Sequence, residues 1–163
     1  MALDLISIRS SIKNLLDKNN TNTSSYYISN NLSTTVQQVV AGYHLSKPVP
    51  DYLYPAIWVE LKNKTEEFAN LSNSARRDAT INFDIVAVVQ HGLGQIDGRE
   101  ASDIEMITLA SNIETLLRNK VQLSQTSVVV QSLANGTEYD VVESNDTYNS
   151  IAIIGLEVMT FSN

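Results

Sequence analysis

The chain has 163 residues, 43% of them hydrophobic, with six glycines and three prolines, a composition that suits one domain with its own core and excludes a linker or low-complexity protein. It contains no cysteine, which excludes disulfides, thiolate nucleophiles and cysteine-ligated zinc. A formal net charge of −7 argues against a general grip on nucleic-acid phosphates, which needs clustered Lys and Arg.

No apolar run approaches the roughly 20 residues that span a bilayer. The opening Met1-Ala2-Leu3-Asp4 lacks the basic region that precedes the apolar stretch of a secretory signal. Leu5, Ile8, Ile12, Leu15 and Leu16 recur at spacings of three and four, which predicts a first helix with one apolar face. Asn19 and Asn20 supply a stop, because Asn tolerates the left-handed conformation that ends helices. Asn19 to Thr35 is rich in Asn, Ser and Thr, which compete for the backbone and favour turns. It reads as a polar loop around Tyr26, Tyr27 and Ile28, or as an arm that orders only against a partner.

Val36 to His44 is a predicted strand, and Pro48 and Pro50 mark the connection after it. In Pro55 to Leu61, Ile57, Val59 and Leu61 share one face and Trp58 and Glu60 the other, the period of a strand. Lys62 to Arg77 is polar and reads as an extended loop, long enough to imply a use. Asp78 to Gln90 is a long strand in which Ile81, Phe83, Ile85, Ala87 and Val89 alternate with polar residues at first. Val86 and Val88 then make its second half apolar on both faces.

His91 to Glu100 is a Gly-rich turn. Ser102 with Glu105 three residues on predicts a capping box at the start of a second helix running to Lys120. Its apolar stripe is Met106, Leu109, Ala110, Ile113, Leu116 and Leu117. Ser127 to Leu133 and Thr137 to Glu143 are strand-like runs around Asn135-Gly136, the preferred pair of a type I′ hairpin. After a loop at Asn145 to Asn149, Ile151 to Phe161 closes the chain as a strand apolar enough for a central place in the sheet. The order predicts an α+β fold, a mainly antiparallel sheet with two amphipathic helices packed on one face.

Chemistry-bearing patterns are sparse. His44 and His91 are the only histidines, and neither has a second ligand at helical metal spacing. Ser/His/Asp combinations can be drawn, but no Gly-x-Ser-x-Gly elbow supports one. Gly92-Leu93-Gly94-Gln95-Ile96-Asp97-Gly98 misses the dinucleotide fingerprint, with Asp97 at its third glycine position and no βαβ unit behind it. Asp97, Glu100, Asp103 and Glu105 suit a helix N-terminus without any metal. Arg76-Arg77 is the sharpest basic feature, a candidate contact to an acidic neighbour because Arg makes forked bonds to carboxylates. Tyr52, Tyr54 and Trp58 form a local aromatic group that suits a core or an interface. These patterns give no catalytic residue, no cofactor and no metal site.

The order of elements resembles that of the tail-terminator and neck (head-tail joining) proteins of tailed bacteriophages. The resemblance covers most of the chain. It is carried by the helix Leu3 to Lys18, the strand Tyr54-Pro55-Ala56-Ile57-Trp58-Val59-Glu60, the polar loop leading into Asp78 to Gln90, and the helix Ser102 to Lys120 followed by strands ending at Ile151 to Phe161. It implies a single domain over residues 1–163, with 19–35 as loop or arm and 62–77 as an interaction loop. It further implies a homo-oligomeric ring, usually of six subunits, that caps the tail tube and joins tail to head. Its partners would be the tail-tube protein and neck or connector proteins, with DNA only in transit through the lumen. Such a protein belongs to the virion, is assembled in the host cytoplasm and touches no membrane. The expected interface residues are Lys62, Lys64, Glu66, Glu67, Arg76 and Arg77. The alternatives are a tail-tube or head-completion subunit, or a small enzyme or ligand-binding domain with a pocket joining His44 or His91 to the acidic cluster.

Overall fold

In the computed structural model, residues 4–17, 36–46, 49–50, 53–68, 77–92, 98–119, 123, 129–143 and 146–162 are described. The polar segment 19–35 and the tip of the loop, 69–76, lie outside them. The described residues form helix α1 (Leu5–Leu16), strands β1 (Gln38–Ala41), β2 (Ala56–Phe68) and β3 (Arg77–Gly92), helix α2 (Gly98–Asn119), and strands β4 (Val129–Glu143) and β5 (Thr147–Ser162). The strands make one sheet in the order β1-β2-β3-β5-β4. β1 pairs parallel with β2, and every other pairing is antiparallel. The fold is α+β, as the sequence predicts.

α1 forms because an apolar stripe meets a cap. Asp4 Oδ1 accepts from the Ser7 backbone N–H at 3.0 Å, satisfying one of the donors that a helix start leaves open. Ile8, Ile12, Leu15 and Leu16 are buried. α2 buries its predicted stripe, Met106, Leu109, Ala110, Ile113, Leu116 and Leu117. Both helices join one large cluster with Ile57, Val59, Ile81, Phe83, Ile85, Ala87, Ala152, Ile154, Leu156 and Val158 of the sheet. They therefore cover the same face. On the opposite face a smaller cluster gathers Ala56, Trp58, Val86 and Val88, with Val40, Val49, Tyr54, Ile151 and Ile153 against it. Burial on both faces explains the continuous apolar run in the second half of β3.

Four local expectations are corrected. Lys62 to Phe68 is not a loop but the continuation of β2, paired with β3 out to Phe68↔Arg77. Polar side chains on both faces hide a strand from a hydrophobic-period reading, and here backbone pairing supplies what the pattern lacks. β5 accompanies β3 over the same stretch, to Arg77↔Ser162, so the described hairpin is part of the sheet and does not project from it. Ser102 does not cap α2. The helix begins a turn earlier at Gly98, and Ser102 is buried with its hydroxyl 2.9 Å from Ser150 Oγ. Asn135-Gly136 does not turn a hairpin. β4 runs straight through, pairing with β5 on both sides of a register shift between Ala134 and Gly136, so thirteen paired residues along a fifteen-residue strand outweigh a local turn preference. Gly136 has φ +146°, and a Cβ on the facing Gly155 would overlap Asn135 Oδ1. The bulge thus needs glycine at 136, and at 155 glycine leaves room for the Asn135 amide. Lastly, the predicted strand 36–44 shortens to Gln38–Ala41.

Candidate functional site

The described charges of the β2–β3 hairpin do not converge. The irregularity between Leu61 and Asn63 leaves Lys62 without a partner in the ladder, and its ammonium lies 3.4 Å from Asp84 Oδ2. Beside it, Asn82 Nδ2 donates to Asn63 Oδ1 at 2.7 Å. Lys64 pairs with Glu66 on the other face, because ladder neighbours alternate in direction. Glu67 stands opposite Asp78 in the ladder. Arg77 is the first residue of β3, and Arg76 lies outside the described residues. Exposed pairs of this kind contribute at most about 1 kcal/mol each.

The two histidines are separately engaged. His44 Nδ1 lies 2.6 Å from Glu60 Oε1, which also accepts from the His44 backbone N–H at 2.7 Å. The His44 ring meets Trp58 edge-on at 6.3 Å, and Tyr54 packs on Trp58 at 6.2 Å. Trp58 is 1% exposed, so this aromatic group is core. Tyr52 lies outside the described residues. His91 Nε2 lies 2.9 Å from Glu105 Oε2, joining the end of β3 to α2. Among the described residues no three His, Asp or Glu side chains gather in a way that could hold a metal ion.

At the start of α2 a polar seam replaces the predicted cap. Ser150 Oγ donates to Asp103 Oδ1 at 2.8 Å and the Tyr148 hydroxyl reaches the same oxygen at 3.5 Å. The Arg99 guanidinium stands 5.7 Å over the Tyr148 ring and bonds Glu143 Oε1 at 2.8 Å. Burial of the phenol, followed by the Asp103 carboxylate, raises the Tyr148 pKa above its ordinary value. The hydroxyls here bond one another and Asp103, so the described residues do not assemble a Ser/His/Asp relay.

The feature missed from sequence is the outer border of the sheet. β4 is its last strand, and all six side chains from Glu138 to Glu143 are exposed. On the α2 side, Tyr139 and Val141 with Asp103, Met106, Ile107 and Ser150 line a groove of about 620 Å³. Tyr139, Val141 and Ile107 are each about half exposed. On the opposite face Leu133, Val142 and Met159 are also exposed, beyond the partly buried Ile151 and Ile153. The signal was present in Tyr139-Asp140-Val141-Val142, an apolar run in a strand that few other residues could cover.

No protein-family model and no curated protein matches the sequence. Among solved structures, the chain is similar to one in the "Virion of native gene transfer agent (GTA) particle", with 14% identity over 93% of each chain and a TM-score of 0.48. At that level the likeness sets neither fold nor function.

Proposed function

We propose that this chain is a structural subunit of a tailed-phage particle, which forms a homo-oligomeric ring, usually of six copies, at the head-proximal end of the tail. There it stops tube growth and joins tail to neck. The observation that carries an assembly role is the uncovered apolar border of the sheet: Leu133, Tyr139, Val141, Val142 and Met159 of β4 and β5, with Ile107 of α2. Exposed apolar side chains on both faces of one sheet border suit contacts to other subunits. The narrower assignment to the tail end is supported by the resemblance in element order.

Electron microscopy of the purified protein, alone and mixed with tail tubes, tests the reading. A single-layer ring, or density added only at one tube end, agrees with it. Long tubes would identify a tube subunit instead. Lys62, Lys64, Glu66, Glu67, Arg76 and Arg77 remain proposed contacts to a neighbouring subunit or to the tube. Reversing the charge at Arg76 and Arg77 together should weaken assembly while leaving the unfolding midpoint nearly unchanged. Normal assembly by that variant would remove them from the interface.

A further inference from the structure

Thr137 to Glu143 is the part of β4 that follows the bulge, and it pairs with β5 without a break to Glu143↔Tyr148. Among the described residues nothing pairs with its outer edge. An open strand edge offers a row of backbone donors and acceptors to a further strand. Natural edges are often blunted by Lys, Pro, bulges or shortness; beyond its bulge this one runs for seven paired residues without Lys or Pro.

The two faces of that edge differ in chemistry. Side chains alternate along a strand. Tyr139 and Val141 point to the α2 side, where they border the groove with Ile107 and Met106. Glu138 and Asp140 stand opposite Ile153 and Ile151 in the ladder, and those two pack on the Trp58 side of the sheet. Asp140 Oδ1 accepts from the Val141 backbone N–H at 2.7 Å, which holds its carboxylate along the edge. An incoming strand therefore meets Tyr139 and Val141 on one side, with Glu143 held by Arg99 at the end, and on the other Glu138 and Asp140 followed by Val142; Asp140 also borders the groove.

We infer that the outer edge of β4, Thr137 to Glu143, accepts an extended strand of a partner protein. Its side chains alternate between apolar, over Tyr139, Val141 and Ile107, and Lys or Arg, beside Glu138 and Asp140. Strand addition of this type draws affinity from main-chain hydrogen bonds and selectivity from the alternate side chains. The occupant is a different protein and not a second copy of this edge. In a β4–β4 pairing, carboxylates would face carboxylates across the strands, which is destabilising. β1, the sheet's other border, offers only Gln38-Val39-Val40-Ala41, with no cation. The inference goes beyond the ring reading and does not depend on it.

The test uses the full-length protein and fluorescent eight-residue peptides. One alternates Lys and Val, one alternates Glu and Val, and one has four Lys followed by four Val. The alternating Lys peptide should bind at least about tenfold more tightly than either of the others, since charge and alternation both count. Amide resonances of Thr137 to Glu143 should be the ones it shifts. Glu138→Lys with Asp140→Lys, both exposed, should reverse the preference between the Lys and Glu peptides. Equal binding of the alternating and block Lys peptides, or an unchanged preference in the folded double variant, would overturn the inference. So would a shift of resonances elsewhere with Thr137 to Glu143 silent.

Discussion

The two borders of the sheet are built on opposite plans. β1 is four residues long, with Val39 buried and Val36 buried just before it, and it lies beside α1. β4 is fifteen residues long, is held to α2 by the Thr137 hydroxyl donating to Glu114, and leaves every side chain from Glu138 to Glu143 exposed. A short, partly buried border resists further pairing, whereas a long, exposed one invites it. The covered side therefore holds the fold together, and the open side is where the chain meets other proteins.

That division makes a graded set of mutational outcomes. Trp58→Ala, on the covered side, should cost about 3–5 kcal/mol, the range for removing a buried aromatic, read from the midpoint of urea unfolding. A loss under about 1 kcal/mol would mean that the smaller cluster is not a core. Gly155→Ala should cost no more than about 1 kcal/mol, because the Asn135 Oδ1 that its methyl would meet ends an exposed side chain that can swing aside. Adding Asn135→Ala should recover most of that loss if the overlap is the cause. Asp4→Ala should cost about 1 kcal/mol through the lost cap of α1. Tyr139→Ser and Val141→Ser, on the open border, should each change stability by no more than about 0.5 kcal/mol while weakening assembly. If they unfold the chain, the border is core and the comparison fails.

The smallest effect is one of pH. The Tyr148 phenol ionises above its ordinary value because it is buried beside Asp103, so the unfolded chain releases that proton first. The stability linked to this group is intact below about pH 10, the ordinary tyrosine value, and is lost as the pH climbs through the raised one. Tyr148→Phe should flatten the alkaline fall in the urea midpoint. An unchanged slope would show that Tyr148 is not its source.

Buried elements are legible in the sequence and exposed pairing is not, for one physical reason. Helix stripes such as Met106 to Leu117 and strand alternation such as Ile81 to Val89 are records of burial, and burial is what periodicity reports. Lys62 to Phe68 carries almost no such record, because its strand is held by backbone pairing with β3. Asn135-Gly136 has strong turn chemistry, yet pairing with β5 along the whole of β4 overrides it. Ser102 matched a cap motif three residues from Glu105, but its hydroxyl serves a contact to Ser150 that only the fold creates. The charges of 62–77 likewise suggest an interface when only the sequence is read. The structure places the described ones on two faces of a hairpin and leaves the apolar border at Tyr139 and Val141, which no charge motif announces.

The mass of the protein in solution tests the central claim most directly. Sedimentation over a range of concentrations, with and without tail tubes, should give a closed ring of one defined subunit number. That ring would form by the protein alone or once tubes are added. A strict monomer under both conditions, binding no tube or neck protein, would contradict the account.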